Sequence, residues 1–249
     1  MLFVIVLISG CWSMAAAQPS QRNQNRGRAM PVYRLALEDL KAEQWEKAAA
    51  GLQRAIDIDP TFDMAYYALG RALMPQKKYG EAVVALSKCA DLYREQAGRQ
   101  FSNQQEAQQY RRDRLTEIDE AMRQYQQGPQ TAQTAEVVRQ LSESRRRIQD
   151  NIQRGVNVSI ETSVPSFVSL ALGSAYFRMG RLQDAEREYR ATIAADPKTG
   201  EAHSNLAVVY LQTGRYDEAE KAVRAAEKTG FKVNPMLKDD IKAKKKGGE

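Results

Sequence analysis

Histidine occurs once, at His203, and cysteine twice, at Cys11 and Cys89. One imidazole and two thiols cannot furnish a His-rich metal site or a four-thiolate zinc site, nor staple a disulfide scaffold. Proline (8 residues) and glycine (15) are too sparse for a collagen-like or low-complexity chain. The sequence also lacks a phosphate-cradling glycine loop, a nucleophile elbow and a cluster of metal-ligand residues. It is therefore expected to bind no cofactor and not to be an enzyme. No apolar run approaches the roughly 20 residues of a membrane-spanning helix. What remains is a chain of 249 residues, 43% hydrophobic and 27% charged, long enough for one or two domains with a real core. The net charge of +6 permits contact with acidic surfaces without requiring it.

The one continuous apolar stretch of note is Leu2 to Ile8, followed by small and polar residues up to Ala17. Residues 1–17 read as an export signal, too short to span a bilayer. Two cleavage readings stand side by side. Leu7-Ile8-Ser9-Gly10-Cys11 is similar to a bacterial lipobox, with Cys11 as the lipidated residue, while Ala15-Ala16-Ala17 suits ordinary signal peptidase. Either way the expected location is the periplasm or the membrane-anchored bacterial cell envelope. Residues 18–28, polar and without acids or large apolar side chains, are expected to form a flexible tether. Residues 1–28 carry +3 and residues 236–249 carry +2, so most of the net charge is expected on mobile ends.

The rest of the chain is organised by a 34-residue period. Leu35, Leu69, Leu172 and Leu206 open four similar segments, the first two 34 apart and the last two 34 apart. Each leucine precedes a small residue: Ala36, Gly70, Gly173, Ala207. A large residue follows at Trp45, Tyr79, Leu182 and Tyr216, then an alanine at Ala48, Ala82, Ala185 and Ala219. Gly180, Gly214 and Lys77 mark a break between two helical stretches, and Asp59-Pro60 and Asp196-Pro197 close two of the repeats. Two helices approach closely only where one offers a small side chain, which predicts inter-helix contact at Gly70, Ala82, Gly173, Ala185, Ala207 and Ala219. This pattern resembles the tetratricopeptide repeat (TPR) family over residues 29–96 (repeats 1–2) and 166–233 (repeats 3–4). The resemblance implies an all-α superhelix of stacked antiparallel helix pairs, a solenoid, ending in a capping segment and basic tail at 234–249. In this frame Cys89 is a small core residue and His203 a surface or buried filler.

Residues 97–165 interrupt the repeats. They hold ten arginines against nine acids, and two apolar stripes at helical spacing. Leu115, Ile118, Met122 and Tyr125 make the first, with the 3-4-3 steps of a coiled coil; Val137 or Val138, Leu141, Ile148 and Ile152 make the second. The segment predicts a helical hairpin whose outgoing arm continues the second repeat's last helix to about Gln127, broken at Gly128-Pro129. An extended leg with Val156, Val158 and Ile160 then leads to Pro165. Arg145-Arg146-Arg147 sits among Glu143 and Asp150 without aromatic partners, which suits a solvated helix face and argues against nucleic acid.

The resemblance also implies a concave groove lined by the first helix of each repeat. The matching positions include Tyr33, Arg34, Leu37, Met64, Tyr67, Arg71, Phe167, Leu170, Phe177, Arg178 and Asn205. Tyr33 and Leu37 stand where a carboxylate clamp would need Lys and Asn. Two uses of these residues are open: anchoring a protein or peptide partner, or packing against the inserted hairpin. The expected role is a non-catalytic interaction scaffold in the cell envelope, tethered to the membrane if Cys11 is lipidated. The alternative is a self-associating structural component, a homo-oligomer joined through the hairpin. A weaker idea is capture of acidic polymers by Arg22, Arg26, Arg28 and the lysine-rich tail.

Overall fold

The computed structural model describes residues 19–97, 101, 104–127, 132–154 and 164–247. Cys11 and the Leu2–Ile8 run, the Gly128-Pro129 break, and the leg carrying Val156, Val158 and Ile160 lie outside the described residues. The described residues form α1 (Pro19–Lys41), α2 (Trp45–Ile58), α3 (Asp63–Leu73), α4 (Tyr79–Gln96), α5 (Gln104–Gln127), α6 (Ala132–Arg154), α7 (Ser166–Arg178), α8 (Leu182–Ala195), α9 (Gly200–Gln212), α10 (Tyr216–Lys228) and α11 (Pro235–Gly247).

The helices pair as the period predicts: α1 with α2, α3 with α4, α7 with α8, α9 with α10. Pairs stack through α2 on α3 and α8 on α9, and α4 packs directly on α7, so repeats 2 and 3 join across the insertion. The result is the all-α solenoid that the resemblance implies. Within each pair the chain reverses through one left-handed residue: Glu43 (φ 56°), Lys77 (59°), Gly180 (74°) and Gly214 (74°). The N–H that follows reaches back five residues, from Gln44 to the Asp39 carbonyl (2.9 Å), Lys78 to Leu73 (3.2 Å), Arg181 to Tyr176 (3.0 Å) and Arg215 to Tyr210 (2.9 Å). This closure satisfies carbonyls at the helix end. Glu43 thus belongs with the three break residues read from the sequence.

The small residues act one step differently from expectation. A Cβ on Gly70 would fall 2.5 Å from Cγ of Leu86, and one on Gly173 would fall 2.7 Å from Cε1 of Tyr189. The glycines therefore face the large side chain of the second helix and not its alanine. Ala82, Ala185, Ala207 and Ala219 are nonetheless fully buried in the same core. Gly173→Leu should destabilise the protein by about 1–3 kcal/mol through overpacking against Tyr189, read as a lower Tm. An unchanged Tm would refute the contact.

Two expectations for the chain ends and the insertion are corrected. From Pro19 onward the expected tether is helical, continuous with α1 through Pro31. It is held because Arg26 is buried against acidic partners supplied by distant parts of the chain. At the other end Val233, Leu237 and Ile241 are buried under α11, and Lys245 pairs with Asp217 (2.7 Å) and Glu220 (3.2 Å). Arg26 at one end and Lys245 at the other are thus engaged within the fold. The outgoing arm is not one long helix. α4 stops at Gln96, Ala97 is extended (φ −62°, ψ 125°), and α5 starts afresh at Gln104. Gln96 is buried and accepts a hydrogen bond from the Tyr110 hydroxyl at 2.8 Å, which anchors the turn-back.

α5 then lies across the first repeats, in contact with α1, and does not project from the body. Ala107, Arg111, Arg114, Ile118, Ala121 and Tyr125 are buried in a 4-3-4-3-4 series, one face of a helix, and Glu117 and Glu120 are buried beside it. The predicted seam shares Ile118 and Tyr125 with it, while Leu115 and Met122 are only partly buried. α6 returns antiparallel, with Arg145 paired to Asp119 at 2.7 Å and the Ser142 hydroxyl 3.9 Å from the Met122 sulfur. It buries Val137, Leu141 and Ile148, and leaves Ile152 exposed at its far end. No helix among the described residues is long and apolar enough to cross a membrane.

Candidate partner groove and its inserted hairpin

The first helices of the repeats bring the predicted groove residues to one side of the solenoid, and α5 occupies half of that side. Tyr33 is 1% exposed and its ring lies 4.6 Å from that of Phe62. Leu37 and Met64 are buried, and Met64 accepts a long contact from the Tyr93 hydroxyl at 3.6 Å. Tyr67 is buried edge-on to Phe167, 4.9 Å between ring centres, so that repeats 2 and 3 are joined by an aromatic pair. Arg34 pairs with Glu120 of α5 at 3.1 Å, and Arg71 donates to the Tyr125 hydroxyl at 2.8 Å. Burial raises the Tyr33 and Tyr67 hydroxyls well above the ordinary phenol range, with Tyr125 nearby adding to the effect.

Of the two open uses, the first half of the groove therefore serves the hairpin. Phe167 and Leu170 are likewise buried, and the Phe167 N–H donates to the Gln140 side chain of α6 at 3.3 Å. The remaining candidates differ: Phe177 and Asn205 are partly exposed and Arg178 is exposed. The structure thus divides the predicted set in two. Tyr33, Leu37, Met64, Tyr67, Phe167 and Leu170 form an internal interface, and Phe177, Arg178 and Asn205 form an accessible strip on α7 and α9.

A buried ionic network, which the sequence reading did not find, fastens α5 to the repeats. Arg26 contacts Asp59 and Glu117, donates to the Thr61 carbonyl at 2.9 Å and lies over the Phe62 ring at 4.1 Å. Arg114 pairs with Asp63 (2.9 Å) and Glu117 (2.7 Å) and donates to the Tyr93 hydroxyl. Burial works to raise the Asp59 carboxyl, but Arg26 and the hydrogen bonds from Thr61 outweigh it and hold it below the usual carboxylate range. At the other closing Asp-Pro, Asp196 pairs with Arg139 of α6. The available signal was the i, i+3 pair Arg114 and Glu117 on the buried face of α5, but acid and base at that spacing usually mark a solvated surface.

No group of three or more His, Cys, Asp or Glu side chains among the described residues could hold a metal ion. Cys89 is fully buried and burial pushes its thiol well up, away from the thiolate a nucleophile needs. His203 rests its Nε2 3.1 Å from the Pro197 carbonyl.

A family model described as tetratricopeptide repeat matches residues 33–95 and 170–231, a little over half of the chain. A search of curated proteins gave no match. Among solved structures, one described as PilW, a widely conserved type IV pilus biogenesis factor, is 13% identical, covers 84% of this chain and 80% of its own, and has a TM-score of 0.38. TTC0263, a thermophilic TPR protein of Thermus thermophilus, is 19% identical over 87% of this chain and 98% of its own (TM-score 0.33). YrrB, described as a TPR protein with an unusual peptide-binding site, is 18% identical over 87% and 92% (TM-score 0.30).

Proposed function

Because the chain belongs to the tetratricopeptide repeat family, whose fold is a non-catalytic module for protein–protein interaction, we propose that it is an interaction scaffold of the cell envelope. In this reading it receives a partner segment along α7 and α9. The observation that carries the reading is the unequal use of the groove: α5 covers the Tyr33–Tyr67 half, while Phe177, Arg178 and Asn205 stay accessible. A partner segment there would find one apolar anchor, one cation and one amide, a set suited to an extended or helical peptide with an apolar side chain. Self-association through a projecting hairpin is less well supported, because α5 and α6 bury their apolar stripes within the chain.

A photo-crosslinking residue at Arg178 should trap a polypeptide in envelope extract, and the same residue at Val84, exposed on α4, should not. Trapping at Val84 alone, or none at Arg178, would refute the groove assignment. The Leu2–Ile8 run and the Ser9-Gly10-Cys11 sequence support the envelope location. Metabolic fatty-acid labelling of wild type beside Cys11→Ala decides between a lipid anchor and cleavage after Ala17: label lost in the variant means the former.

A further inference from the structure

Between α3, the hairpin and α7 lies a cavity of about 240 Å³. Apolar side chains make most of its wall, among them Leu86, Val137, Phe167 and Leu170, and Arg71 supplies a cation. The surroundings of Arg71 differ from those of four other arginines at this interface. Arg26, Arg34, Arg114 and Arg139 each meet a carboxylate. Arg71 donates its one hydrogen bond to the Tyr125 hydroxyl and lies 4.9 Å from the Tyr125 ring and 5.9 Å from the Tyr67 ring. Apart from burial, the strongest influences on it are tyrosines: Tyr125, Tyr67 and Tyr33. Among the described residues, no carboxylate stands within ion-pair distance of it. Glu201 lines the same cavity.

A guanidinium carries five N–H donors in a planar fork that fits a carboxylate. Arg71 is half-buried, and most of its fork has no acidic partner among the described residues while an apolar cavity adjoins it. An apolar cavity of about 150 Å³ accommodates benzene, six heavy atoms. By proportion, the present one suits about ten heavy atoms, too few for a peptide segment. We propose that this cavity binds a small monocarboxylate with an apolar body of roughly seven carbons, its carboxylate on Arg71 and its body against Val137, Phe167 and Leu170. Such a ligand would touch α3, the hairpin and α7 together, and so would tie the insertion to both halves of the solenoid.

The probe is phenylacetate, with phenylacetamide as the neutral molecule of the same shape, titrated calorimetrically into the full-length chain. Phenylacetate should bind at least tenfold more tightly than the amide and raise Tm. Arg71→Met should abolish that preference. Ala171→Phe, which fills the cavity from α7 and leaves Arg71 in place, should abolish binding of both. If Arg71→Met does not fold, the wild-type acid-to-amide ratio and Ala171→Phe still decide. Equal binding of acid and amide, no binding at millimolar concentration, or binding unchanged in Ala171→Phe would overturn the proposal. So would tighter binding of a peptide ending in a C-terminal phenylalanine than of phenylacetate.

Discussion

Arg26→Met should lower stability by about 3–5 kcal/mol, the usual loss when one member of a buried ion pair is removed. The side chain is 9% exposed and joins three elements: its own helix α1, the α2–α3 turn through Asp59 and the Thr61 carbonyl, and α5 through Glu117. Methionine retains an apolar stem but loses the guanidinium that lies over the Phe62 ring, and leaves Asp59 buried with its Thr61 hydrogen bonds alone. Glu117 would keep Arg114, so the damage should centre on the first turns of α1 and on the seating of α5. Urea unfolding gives the magnitude, and hydrogen exchange over residues 24–34 should show those turns opening. Arg28→Met, at an exposed position on the same helix, should change stability by less than about 0.5 kcal/mol. A loss below about 1 kcal/mol for Arg26→Met would mean that α1 is held by its apolar face alone.

The pH dependence gives a second readout. The folded-state Asp59 carboxyl lies below its ordinary value. Its contribution is therefore complete above the unfolded pKa of about 3.9 and is lost as pH falls through the lower folded value. Stability of the wild type should decline across that acid window. The decline should be shallower in Arg26→Met, where the cation that depresses Asp59 is gone.

The repeats were legible in the sequence because their contacts are local and periodic. A leucine, a small residue and an alanine recur at fixed spacing, and each contact joins helices adjacent in the chain. Even there position matters. Leu69, Leu172 and Leu206 are buried, whereas Leu35 is 60% exposed. Leu69 faces Ala49 and Ala50 of the preceding pair across a shared cleft; among the described residues, Leu35 of the first repeat has no preceding pair to meet. The path of the insertion was not legible, for a physical reason. Read alone, Arg111, Arg114 and Glu117 look like residues for water, and a stripe scored on apolar residues falls on Leu115 and Met122. The partners of Arg114 and Glu117 are supplied from far away: Arg26 and Glu117 are 91 positions apart, Arg114 and Asp63 are 51. Charge pairing at such separation leaves no period in the sequence. The candidate groove residues lie on the first helices of the repeats, but their occupant could not be read without the fold of α5.

That occupancy changes what alanine at Tyr33 or Tyr67 should do. Were the groove empty, both residues would be partner contacts, and each substitution would weaken binding and spare the fold. With Tyr33 at 1% and Tyr67 at 5% exposure, each alanine instead removes a buried aromatic ring. Tyr33→Ala takes away the partner of Phe62, and Tyr67→Ala takes away the ring that meets Phe167 and neighbours Tyr125. A loss of about 3–5 kcal/mol is expected for each, as for other large-to-small changes at well-packed aromatics. Tyr67→Phe keeps the ring and gives up only the hydroxyl, whose contact with Tyr125 is long at 3.4 Å, so it should lose no more than about 1 kcal/mol. Phe177→Ala, at a partly exposed position, should stay within about 1 kcal/mol of wild type while lowering capture at the α7–α9 strip. Thermal or urea unfolding of the four variants separates the two halves of the groove. A fully stable Tyr67→Ala protein that has lost its partner would show that α5 leaves the groove when the partner arrives, and that the first half, too, is a binding surface.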